Sequence, residues 1–221
     1  MNKTIYILLI PLLLISCGTN QTSISLSTSE QISEDNPSIS PSNEDIGETI
    51  YCASLNGLKN DGDTVMEFIN AGWSMAGGII DDNQFKISYR DGTGFIKCPK
   101  FDNEDDSSIV DIKMHLTNFN TASNTVIGKT LAFKVEAINS TDEDNVVETH
   151  QYSHVITQED YDNKAPYLIP QYSSDFSSGF YRIKFLSKYN RIKITMTSRV
   201  EESSSKGCNL AINEIKISKT K

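Results

Sequence analysis

Apolar and polar residues alternate one by one through much of the chain. In SSIVDIKMHLTNF, Val110, Ile112, Met114 and Leu116 share one parity, and Asp111, Lys113, His115 and Thr117 share the other. In KTLAFKVEAI, Leu131, Phe133, Val135 and Ala137 alternate with Lys134 and Glu136. The same pattern sets Ile192, Ile194 and Met196 against Lys193, Thr195 and Thr197, and Tyr181, Ile183 and Phe185 against Arg182 and Lys184. Phe85, Ile87 and Tyr89 alternate with Lys86, Ser88 and Arg90. Successive strand side chains face opposite ways, so period two predicts strands with one face in a core. TVMEFIN also reads as a strand, and Asp91-Gly92 supplies hairpin-turn chemistry between QFKISYR and GFIKCPKF.

The last run, CNLAINEIKIS, changes phase. Leu210 and Ile212 share one parity, Ile215 and Ile217 the other. One extra residue at Asn213-Glu214, a β-bulge, would keep all four inward. No long segment carries a 3.6-residue apolar stripe. The prediction is an all-β, antiparallel β-sandwich, and within that class a jelly roll. The apolar-x-Ile-Asn-x-Ile-x-Ile ending resembles the final strand of carbohydrate-binding-module jelly rolls in bacterial surface proteins. GTGFIKCPKF is similar to a second strand of such domains. The resemblance spans about twenty residues of common types and transfers no binding residue.

The first residues follow another pattern. Lys3 is the only charge before residue 20, and Ile5 to Ile15 are apolar or aromatic apart from Pro11. That run is too short to span a bilayer and reads as a signal peptide over residues 1–16. Leu14-Ile15-Ser16-Cys17 resembles the lipobox of bacterial lipoproteins. The resemblance implies cleavage after Ser16, lipidation of Cys17 and a membrane partner through the acyl chains. Residues 18–48 contain no aromatic residue, no Lys or Arg, six acids and eleven Ser or Thr. Such a segment cannot bury enough apolar surface to offset chain entropy, so residues 17–48 are expected to be a disordered tether. Residues 49–221 are the expected folded domain.

Charge narrows the partners. The chain carries 20 basic and 29 acidic residues, a net −9. Removing Lys3 and the six tether acids leaves 19 against 23, or −4, over residues 49–221. Residues 182–221 hold ten basic residues and three acids. Offset solvated faces explain this better than a nucleic-acid footprint, since a net acidic chain binds phosphate poorly. Cys52, Cys98 and Cys208 allow one disulfide with three pairings, and their spacing matches no zinc motif.

NAGWSMAGG, residues 70–78, raises the question of a nucleophile at Ser74. It resembles the subtilisin Gly-Thr-Ser-Met-Ala stretch and the α/β-hydrolase Gly-x-Ser-x-Gly elbow. It departs from both: Trp73 replaces Thr, and Ala76 stands where the elbow needs Gly. Paired glycines and a β-branched run follow, not a helix. The histidines are His115, His150 and His154. On a strand, His150 and His154 stand about 13 Å apart, too far to share a metal.

Acidic clusters at 102–106, 141–145 and 159–163 lack the spacing of a dedicated calcium loop, so no cofactor is expected, with a structural calcium as the alternative. From Tyr161 to Tyr181 six aromatics crowd an irregular, Pro-containing stretch. The expected ligand contacts are Trp73, Tyr167 and Tyr172, rings whose flat faces suit sugars. The first reading is a lipid-anchored, cell-surface or periplasmic, non-catalytic module with carbohydrate as ligand. The second is a protein-interaction or structural lipoprotein, and the third a serine hydrolase using Ser74.

Overall fold

The computed structural model describes residues 45–81, 83–87, 94–117, 124–140, 145–162, 179–198 and 209–221. They form an antiparallel β-sandwich of two sheets. Its strands are β1 (Ile46–Ser54), β2 (Ser74–Ala76), β3 (Gly78–Asp81), β4 (Gln84–Ile87), β5 (Gly94–Lys97) and β6 (Ser108–Leu116). They continue with β7 (Thr130–Ile138), β8 (Val146–Val155), β9 (Gly179–Phe185), β10 (Arg191–Met196) and β11 (Leu210–Thr220). One sheet runs β3-β4-β11-β6-β9, with β1 also on β11; the other runs β2-β5-β10-β7-β8. β5, β6 and β7 each lie in the sheet opposite their predecessor, and so do β9, β10 and β11. This is how a jelly roll is wound.

The predicted parity holds. Val110, Ile112, Met114, Leu116, Leu131, Phe133, Val135, Ile192, Ile194, Met196, Ile183, Phe185, Phe85 and Ile87 are all buried in one shared core. The bulge is where the phase change placed it: the β11–β6 register shifts between Ile212 and Glu214. It also has a structural purpose. Up to Ile212, β11 pairs with β4, and from Glu214 onward it pairs with β1 on the same side. Asn213 holds the changeover. Its carbonyl accepts from Leu55 N at 2.7 Å, its Nδ2 donates to Asn56 Oδ1 at 2.7 Å, and its Oδ1 meets His115 Nδ1 at 2.9 Å.

Three expectations are corrected. TVMEFIN is not a strand but lies within helix α1 (Gly62–Asn70). Asp61 caps it, accepting from Thr64 N at 2.7 Å. Helical spacing puts Val65 and Phe68 on one side, where Phe68 is buried, while Met66 and Ile69 stay exposed. β4 and β5 are not a hairpin, since they belong to different sheets, and Asp91-Gly92 between them lies outside the described residues. The short hairpin is instead β3–β4, with Asn83 at φ 59° in a region asparagine tolerates. The fold begins before residue 49, since Ile46 already pairs with Thr220. Cys98 is a free, fully buried thiol. Desolvation pushes its pKa up to about 12, against the hydrogen bond that Ile192 N donates to its sulfur.

A second short helix, α2 (Gln158–Asp162), starts with a capping box. Thr157 Oγ1 accepts from Asp160 N at 3.1 Å, and Asp160 Oδ2 accepts from Thr157 N at 2.7 Å. Among the described residues no helix is long and apolar enough to cross a membrane.

Candidate functional site: the outer face of the five-stranded sheet

With Ile96, Ile192, Ile194, Phe133 and Val135 inward, their alternates on β5, β10 and β7 face out. Cross-strand register lines them up in two rows. One row runs Ser74, Lys97, Lys193, Glu136, Thr149. The next runs Ala76, Phe95, Thr195, Lys134, Gln151. At the usual strand spacing the five strands make a face about 19 Å wide.

The middle of this face is unusual for a sheet exterior. Glu136 is 6% exposed and Thr195 3% exposed. Glu136 Oε1 accepts from Lys134 Nζ at 2.6 Å, but Glu136 Oε2 and Thr195 Oγ1 have no hydrogen-bond partner. Lys193 Nζ stands 3.9 Å from that Glu136 oxygen and 4.7 Å from the centroid of the half-buried Phe95 ring. Buried polar atoms are nearly always satisfied, and each orphan costs about 1–3 kcal/mol. These two orphans sit on adjoining strands and are themselves covered from water, while the half-buried Phe95 ring and the partly exposed Lys193 beside them are the groups a ligand meets first.

Of the residues singled out from sequence, Ser74 stands at the end of the first row and Trp73 lies off the face. Trp73 is buried, 7% exposed, with its ring stacked on Phe68 at 4.8 Å, so that face is closed to a sugar. Tyr167, Tyr172 and Cys17 lie outside the described residues. Ser74 opens β2 after α1, so the order is helix, turn, strand. That is the reverse of a nucleophile elbow, whose following helix aims its N-terminus at the oxyanion.

The histidines are set in structural contacts. His115 meets Asn213, and burial pushes its pKa down. His150 and His154 face inward from β8 and meet Glu148 at 2.8 Å and Asp160 at 2.9 Å. Between them Tyr152 stacks on Phe133 at 5.0 Å. Among the described residues no group of three or more His, Cys, Asp or Glu could hold a metal ion.

Sequence reading missed Phe95, Glu136, Lys193 and Thr195 as a set. Each stands at a position of polar parity or beside a buried isoleucine, but their adjacency depends on register between distant strands.

No protein-family profile matches the chain, and no curated protein matches its sequence. Solved structures of similar shape exist. The potassium-bound carbohydrate recognition domain of Emp46p is 13% identical, with a TM-score of 0.42, over 75% of this chain and 95% of that one. The K1 cleaved adhesin domain of Lys-gingipain from Porphyromonas gingivalis W83 is 16% identical, with a TM-score of 0.39, over 78% and 99%. The family 29 carbohydrate-binding module CBM29_1 from Piromyces equi is 12% identical, with a TM-score of 0.34, over 76% and 90%.

Proposed function

We propose that this protein is a non-catalytic glycan-binding module whose ligand lies across the outer face of the five-stranded sheet. The observation that carries the reading is the pair of buried, unpartnered oxygens, Glu136 Oε2 and Thr195 Oγ1, beside the Phe95 ring. A sugar offers what those atoms lack: hydroxyl donors for the carboxylate oxygen, and hydroxyls that both donate to and accept from a threonine. Its apolar ring face suits an aromatic neighbour. A glycan screen with the full chain, in a detergent that carries no sugar, tests this. We expect binding that falls about tenfold in Phe95→Ala and in Glu136→Gln, a loss of about 1.4 kcal/mol each, with the melting temperature kept. Absence of binding to every glycan would overturn the reading.

The proposal includes a lipid anchor at Cys17, which holds the module at a membrane facing the cell exterior or the periplasm. Its motive is Leu14-Ile15-Ser16-Cys17 after an apolar run. Metabolic labelling with a fatty acid should mark the wild type and not Cys17→Ala; equal labelling of both would remove Cys17 as the anchor.

A further inference from the structure

Resting on the glycan reading above, we infer that the ligand is an acidic glycan, bearing carboxylate or sulfate groups. The two rows of the sheet face hold three lysines, Lys97, Lys134 and Lys193, and one acid, Glu136. Lys97 has a contact of its own elsewhere, so the charges at the centre of the face are Lys134 and Lys193 against Glu136, a sum of +1 on a chain whose total is −9.

The arrangement matters more than the sum. Lys134 takes one oxygen of Glu136 at 2.6 Å. Lys193 does not complete the other, because 3.9 Å is beyond a hydrogen bond. The Phe95 ring and the Glu136 carboxylate hold the Lys193 ammonium at the centre of the face, and its side chain keeps 22% of its exposure. No acceptor among the described residues lies within hydrogen-bond reach of it.

The centre of the face therefore offers a partly exposed cation with unused donors, ion-paired at 3.9 Å to a carboxylate oxygen that, like the nearby Thr195 hydroxyl, is covered and makes no hydrogen bond. A ligand that fits must bring an anion to Lys193 and a hydroxyl donor to Glu136 within one or two sugar rings. A uronic acid or a sulfated sugar carries both. A neutral glycan would satisfy Glu136 and leave Lys193 to water. A phosphodiester backbone would meet Lys193 but bring only acceptors toward Glu136.

The test compares polymers that differ only in charge. Full chain in the same detergent is titrated with polygalacturonate against its fully methyl-esterified form, and with dextran sulfate against dextran. At low salt we expect at least one charged polymer to bind about tenfold or more tighter than its neutral counterpart. The gap should close at high salt, where screening shortens to a few ångströms. Lys193→Gln should lose about tenfold more on the charged polymer than on the neutral one. Lys193→Arg, which keeps the charge, should recover most of the loss and serves as the check on folding.

Which pair shows the gap distinguishes carboxylate from sulfate. Equal binding of charged and neutral polymers, with Lys193→Gln unchanged, overturns the acidic-ligand inference and leaves glycan binding standing. Binding to DNA or an acidic peptide with none to any polysaccharide overturns both, as does no binding at all.

Discussion

Trp73→Ala is expected to lower the free energy of unfolding by about 3–5 kcal/mol, the usual cost of deleting a large aromatic from a core. Trp73 is buried and stacks on Phe68 at 4.8 Å, and Phe68 in turn stacks on Phe85 at 5.9 Å. These three rings join α1 to the sandwich edge, and the backbone link from Trp73 N to Phe68 O at 3.1 Å belongs to the same joint. Close packing continues beyond them: a β-carbon built on Gly78 would sit 2.6 Å from Phe85 Cζ. The cavity left by alanine could not be filled without moving α1. Trp73→Phe should recover much of the loss. Urea unfolding of the full chain measures both. A Trp73→Ala protein that unfolds at the wild-type midpoint but binds no glycan would return Trp73 to the ligand site.

The second large effect is expected at Asp111. Its carboxylate lies on the outer face of the six-stranded sheet, 5% exposed, and receives both Nε and Nη2 of Arg182 from the neighbouring β9. A forked guanidinium contact of this kind satisfies both carboxylate oxygens. Removing one partner strands the other's charge in a poorly hydrated place, which costs about 3–5 kcal/mol, whereas replacing both with apolar residues of similar volume is often neutral. Asp111→Ala should therefore be far more destabilising than Asp111→Leu combined with Arg182→Leu. If the single variant loses less than about 1 kcal/mol in urea unfolding, the pair behaves as an ordinary surface salt bridge.

The two outer faces explain why polar parity alone did not reveal a site. On the six-stranded sheet, Asp111 is matched by Arg182, and Asn213 is tied to Asn56 and His115. On the five-stranded sheet, Glu136 and Thr195 are equally withdrawn from water yet incompletely matched. In the sequence, Asp111 and Glu136 look alike: each is an acid between apolar residues of a strand. Trp73 misled for a related reason. A lone Trp among small residues reads first as a buried plug and second as an exposed platform, and Phe68 arriving from α1 makes it a plug. Helix α1 is set by the Asp61 cap on Thr64 N and by Phe68 packing on Trp73, neither of which the apolar run TVMEFIN shows by itself.

What the sequence by itself determined is whatever depends on neighbours along the chain. Side-chain direction in a strand follows parity, so Val110, Ile112, Met114, Leu131, Phe133, Ile192 and Ile194 were destined for a core before any strand had a partner. The phase change at Asn213-Glu214 likewise required a bulge. The tertiary structure decided what depends on hydrogen bonds between distant segments. It assigned β4 and β5 to opposite sheets despite Asp91-Gly92 between them, and it handed β11 from β4 to β1 at the bulge. It also aligned Phe95, Lys193, Thr195, Lys134 and Glu136 across three strands. Parity is a local property of the backbone, whereas register is fixed only when residues far apart in the chain, such as Ile46 and Thr220, come into pairing.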